Sequence, residues 1–120
     1  MPAAKTGIIF FKVDGTQYRA KGNFTYNLGQ RKREGIVGAD TVHGYKETMQ
    51  LPFIEGEITD GVDLDLEKFI NLTGVTVTLE LNNGKTIMLD EAWYAGDGTG
   101  NSDEGNISCR FEGMRAREVN

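Results

Sequence analysis

The chain has 120 residues, a formal net charge of −5 and a pI near 4.8, with 38% hydrophobic and 26% charged residues, sixteen Gly and two Pro. That length predicts one domain, able to bury about two-thirds of its surface without staples. An acidic chain is poorly suited to gripping nucleic acid, which needs Lys and Arg against the phosphates, yet its surface would let nucleic acid pass without sticking. The single cysteine, Cys109, excludes an intramolecular disulfide framework and fits a reducing cytoplasm.

In chain order, Met1 to Thr6 is a short polar lead, read as a mobile segment 1–6. Gly7 to Val13 predicts a first strand in which Ile9, Phe11 and Val13 form one apolar face and Ile8 and Phe10 a second. A strand apolar on both sides needs cover on both sides. The inner cover is the core; the outer is either the helix or another subunit, and the sequence does not rank the two. The apolar run from Ile8 to Phe11 is far too short for a signal h-region or a membrane span.

Asp14-Gly15 turns the chain into a strand over Thr16 to Lys21, with Tyr18 and Ala20 inward. After Gly22, Phe24, Tyr26 and Leu28 alternate with Asn23, Thr25 and Asn27 in a third strand. From Gly29 to Thr41 the periodicity vanishes. These thirteen residues, GQRKREGIVGADT, hold the basic triplet Arg31-Lys32-Arg33 and the apolar pair Ile36-Val37. An aperiodic stretch of that length predicts a functional loop, 29–41. The triplet suits pairing with an acidic patch on another subunit better than tight nucleic-acid binding.

Strand character returns over Val42 to Thr59, and Pro52 within it predicts an edge position or a bulge. Asp60-Gly61 turns the chain. Leu66, Phe69 and Ile70 then stand at i, i+3, i+4, a helix of about two turns with Asp63 or Asp65 as N-cap and Gly74 as its C-terminal stop. Its stripe is expected to plug an open end or face of the sheet.

Val75, Val77, Leu79 and Leu81 alternate with polar residues before Asn82-Asn83-Gly84 turns the chain back. A two-residue turn would set Leu79 opposite Met88 and Val77 opposite Asp90. A three-residue turn with Gly84 left-handed sets Leu79 opposite Ile87 and Val77 opposite Leu89, which buries every large apolar residue. The second register is expected. Ala92, Trp93 and Tyr94 extend this strand, and 96–105 is a polar loop. Asn106 to Met114 is the last strand, with Ile107, Cys109 and Phe111 inward, followed by a polar tail, 115–120.

No constellation carries chemistry. An EF-hand opened at Asp97 would place Ser102 where glycine is needed and Ser108 where glutamate is needed. GDGTG lacks the dinucleotide spacing and no helix follows it. His43 has no triad partner, because Ser102 and Ser108 lie outside any nucleophile-elbow setting. One His and one Cys do not make a zinc site, and Cys109 reads as a small core hydrophobe. The carboxylate pairs sit on turns, where solvation explains them. No catalytic residue, metal site or cofactor is expected.

Five stretches taken together carry a resemblance: NFTYNLGQRKREGIVGADTVHGYKE (Asn23 to Glu47), LPFIEGEITD (Leu51 to Asp60), NLTGVTVTLELNNGK (Asn71 to Lys85), AWYAGDGT (Ala92 to Thr99) and RFEGM (Arg110 to Met114). Their collinear series, spanning nearly the whole chain, resembles the tail tube proteins of Mu-like contractile-tailed bacteriophages. The resemblance implies a mainly β fold, an antiparallel β-sandwich or barrel with one short α-helix, and a non-enzymatic virion protein assembled in the host cytoplasm. Such proteins form six-subunit rings that stack into a hollow tube inside a contractile sheath, and DNA passes through the lumen without specific binding. The implied partners are further copies of the chain, the sheath protein, a baseplate initiator and a tail terminator. Ile8, Phe10, Arg31, Lys32, Arg33, Ile36 and Val37 are the candidate contacts between subunits or rings. The alternative reading is a monomeric β-barrel binding a ligand, RNA or peptide through Trp93, Tyr94 and the basic loop.

Overall fold

A computed structural model describes residues 9–62, 64–103 and 105–119; the lead at 1–6 lies outside them. Strand β1 (Ile9–Val13) turns through Asp14 and Gly15 into β2 (Thr16–Tyr18). Val13 faces Thr16, so the turn has two residues, with φ +50° at Asp14 and +85° at Gly15. Positive φ at both central positions follows the right-handed twist of the flanking strands. The expected strand over Thr16 to Lys21 is interrupted. β2 stops at Tyr18, and after Arg19 the chain joins a different partner as β3 (Ala20–Asn27), which pairs with β6 (Phe53–Thr59).

That one-residue switch closes the molecule. The main sheet runs β2-β1-β7-β8-β10-β6-β3, where β7 is Thr73–Leu81, β8 is Thr86–Tyr94 and β10 is Asn106–Glu112, and the short β9 (Gly100–Asn101), within the expected polar loop, pairs with β10. Its two ends are β2 and β3, separated only by Arg19, whose carbonyl accepts from Thr59 N at 2.8 Å. The sheet therefore curls into an antiparallel barrel whose seam is not hydrogen-bonded, β2 and β3 each pairing on one side only among the described residues.

The β7–β8 hairpin takes the three-residue register. Val77 faces Leu89 and Leu79 faces Ile87. Gly84 has φ +93°, Leu81 O accepts from Gly84 N, and Leu81 N donates to Lys85 O. Gly74 (φ +65°) is a bulge residue inside β7 and not the stop of the helix, as Thr73 faces Trp93 while Val75 faces Ala92. The polar tail of the sequence reading is a strand, β11 (Arg115–Val119), paired with the first half of β8 while the end of β10 pairs with its second half. Gly113 makes the handover between them possible. A Cβ there would stand 2.8 Å from both Asp90 O and Leu89 Cγ.

Helix α1 (Leu66–Ile70) is shorter than two turns. Asp65 is its N-cap, accepting from Lys68 N, and Asn71 closes it by donating Nδ2 to Glu67 O at 2.7 Å. The alternative cap, Asp63, lies outside the described residues. The helix puts Phe69 into the barrel, where edge-on aromatic contacts reach Tyr18 (5.0 Å), Tyr94 (5.4 Å) and Phe111 (5.6 Å). Phe11, Ile54, Ile58, Leu79, Leu89 and Ile107 complete the core. Burying each such large side chain stabilises the fold by about 1.5–3 kcal/mol.

Candidate assembly surface

The irregular loop expected at 29–41 is not irregular. It holds β4 (Lys32–Val37), which pairs antiparallel with β5 (Val42–Thr48) in a two-stranded sheet separate from the barrel. This hairpin leaves the end of β3 and returns at the start of β6, so it projects from the barrel as an arm about 20 Å long. Apart from half-buried Glu34, its strand residues are exposed. The radius of gyration is 17.3 Å and the longest dimension 61 Å, against a radius of about 14 Å for a compact chain of this length.

The arm's base is fixed by local polar contacts. Gln50 Nε2 donates to Gln30 O at 2.9 Å, Asn27 Nδ2 donates to Gln50 Oε1 at 3.5 Å, and Asn27 Oδ1 accepts from Gly29 N at 2.7 Å. Pro52 lies just ahead of β6, neither at an edge nor in a bulge, and its carbonyl accepts from Gly113 N. The missing N–H costs nothing there, as the ladder begins at Phe53.

Arg31, Lys32 and Arg33 do not form one patch. Arg33 Nε and Arg31 Nη1 both approach Glu47, at 3.2 and 3.6 Å, and Arg33 stacks over Tyr45. Lys32 points to the other face, where it shares Glu34 with Lys46, both at 3.8 Å. Each face thus sets two cations against one carboxylate. Exposed pairs of this kind add about 0–1 kcal/mol to stability and leave their charge open to a partner.

At the free end the arm is apolar. Val37 faces Val42, and they are 74% and 69% exposed. Ile36 and Tyr45 are exposed behind them, and the His43 ring covers Gly38. At the base, Met49 is 79% exposed and joins Leu28, Leu51, Pro52, Trp93 and Met114 in an open groove of about 580 Å³. Phe10 lies on the barrel, away from the arm in sequence and sheet, and is 42% exposed opposite Glu80. The helix sends Phe69 into the core against Tyr18, Tyr94 and Phe111 and leaves Phe10 uncovered. Ile8 lies outside the described residues.

Val42, Tyr45, Met49, Leu51 and Met114 join the surface without having been singled out by sequence. For Val42 and Tyr45 the signal was present in the spacing. Val42 and Tyr45 are three apart, which one buried strand face does not allow.

Asn82 Nδ2, in the β7–β8 turn, is buried without a hydrogen-bond partner among the described residues, while the polar groups weighed for chemistry in the sequence are held by the fold. Asp97 accepts from Thr99 N at 3.0 Å, and its hydrogen bonds with Thr99 hold its carboxyl below the usual value. Burial pushes the Cys109 thiol up to about 12. Tyr94 is buried and donates to Ser108 O at 3.1 Å, which leaves Trp93 alone of that pair on the surface groove. Among the described residues no group of three or more His, Cys, Asp or Glu is placed to hold a metal ion.

An aromatic-filled curled sheet with one short helix and an outlying two-stranded arm defines a mainly β protein. The chain belongs to the phage tail tube family, whose model matches residues 3–118. This is a structural family and not an enzyme family, and its members are virion components. The chain is 27% identical over 115 residues to the tail tube protein of Escherichia phage Mu, covering 96% of this chain and 95% of that one. Its fold is that of the anti-feeding prophage tube-terminating cap (TM-score 0.68, 8% identity, 99% of this chain and 92% of the other). It also matches the sheath/tube terminator of PVC, an extracellular contractile injection system (TM-score 0.69, 10% identity, 100% and 99% covered).

Proposed function

We propose that this protein stacks as six-subunit rings into the inner tube of a contractile phage tail, through which DNA passes into the host. The arm carries this reading. A two-stranded sheet with exposed strands and an apolar tip gains little by projecting from a monomer, and gains cover when copies stack. Contact between unlike surfaces closes into a ring where its rotation closes and generates a filament where it does not, and a tube of stacked rings uses both. Phe10 on β1 supplies a second uncovered apolar site, suited to a neighbour within a ring. A chain of net charge −5 suits a wall along which DNA slides, through repulsion of its phosphates.

In this reading the partners are further copies of the chain, a surrounding sheath protein, a baseplate initiator and a tail terminator, and assembly takes place in the host cytoplasm. Ile8, Phe10, Arg31, Lys32, Arg33, Ile36 and Val37 are its contact residues. Negative-stain electron microscopy of concentrated protein, with and without baseplate components, tests it. Hollow tubes of uniform width are expected. Persistent monomers with an initiator present would overturn the reading and direct the search to ligands at the Trp93 groove.

A further inference from the structure

Resting on the stacking reading, we propose that the arm tip of one copy seats in the cavity between the β1–β2 turn and helix α1 of the next copy. The arm and the helix leave opposite ends of β6, the arm before Phe53 and the helix after Thr59. A contact between them is head to tail, and in stacked rings it joins one ring to the next.

The two surfaces match in kind. The tip presents Val37 and Val42 with the exposed carboxylate of Asp40 between them in sequence. The cavity, about 390 Å³, has an apolar floor of Val13, Phe69 and Leu72, with Lys68 as its one cation and Asp14 and Asp65 as its acids. Asp40 thus meets Lys68. Asp14 and Asp65 accept from Thr76 N and Lys68 N within their own chain, and the cations of the arm stand three or more residues, about 10 Å, behind the tip, so the charge match at the cavity is that of Asp40 with Lys68. The groove at the arm's own base is the rival recipient. It is apolar too, but its charged lining residue, Arg115, is already paired with Asp90 at 3.3 Å, whereas Lys68 has no carboxylate within ion-pair distance among the described residues and is free to take Asp40.

Paired cysteines decide between the recipients, because a disulfide forms only when Cα atoms come within about 7 Å. Val42→Cys with Thr16→Cys places one thiol on the tip and one on the cavity rim, while Val42→Cys with Met114→Cys tests the base groove. All three positions are exposed, and native Cys109 is buried. Mild oxidation of assembled tubes should give a ladder of linked chains for the Thr16 pair and none for the Met114 pair. A ladder from the Met114 pair alone, or tubes with no ladder from either, overturns this docking and leaves the tube intact. Failure of the unmodified protein to form tubes with its initiator overturns the tube reading itself. Charge exchange gives a second readout: Asp40→Lys and Lys68→Glu should each reduce assembly at least several-fold, and together in one chain restore it. Absence of that rescue counts against the pairing.

Discussion

The Pro52 ring lies so close to Gly29 that a Cβ on Gly29 would stand 2.8 Å from Pro52 Cδ. Gly29 is also left-handed, at φ +77°, where any L side chain is disfavoured. The two residues are the places where the chain leaves the barrel for the arm and returns to it. Gly29→Ala should therefore cost about 1–3 kcal/mol, read by urea denaturation. Its larger effect should fall on assembly, because the arm would be redirected at its root. Tubes assembled as readily as by the unmodified chain would show that the arm's direction is not set at this point.

Neutralising Arg31, Lys32 and Arg33 together should leave the fold within about 1 kcal/mol, as all three lie on the surface and pair only with Glu47 and Glu34. Assembly should weaken, and the remainder should lose its sensitivity to salt. Sedimentation over a salt series measures both. Normal tubes with unchanged salt dependence would remove the triplet from the contact.

The same arm explains where sequence reading succeeded and where it stopped. Strands with one face in the core were legible: the β7–β8 register followed from which choice buried Ile87 and Leu89, and the Asp14-Gly15 turn from its dipeptide. β4 and β11 were not. Lys32-Arg33-Glu34-Gly35 and Arg115-Ala116-Arg117-Glu118 lack apolar alternation because β4 has no buried face and β11 buries only Ala116 firmly. Period-2 patterning detects burial, and a strand held by its ladder alone leaves no such mark. The split of the basic triplet between two faces was hidden for the same reason, since alternation could be applied only once the segment was known to be a strand.

Phe69→Ala should cost about 3–5 kcal/mol. The ring is almost wholly buried and makes edge-on contacts with Tyr18, Tyr94 and Phe111. Phe69→Leu should recover much of the loss by refilling the volume. Chemical denaturation of both variants provides the comparison, and equal stability would mean that aromatic geometry, not volume, holds the helix to the barrel.

Alkaline pH should loosen the barrel through Cys109. Its thiol is raised by burial from 9.0 to about 12, so the unfolded chain gives up that proton first. The stabilising contribution is whole below about pH 9 and is lost as pH rises through about 12. Tyr18 and Tyr94, both raised above 10.0 by burial, act in the same direction over the upper part of that window. Denaturant midpoints should therefore fall as pH rises above 9. Cys109→Ala should flatten the first part of the decline and leave the later part, which belongs to the tyrosines. A folded thiol that reacts rapidly with a maleimide at pH 8 would contradict its burial between β6 and β8, and an unchanged decline in Cys109→Ala would assign the whole effect to the tyrosines.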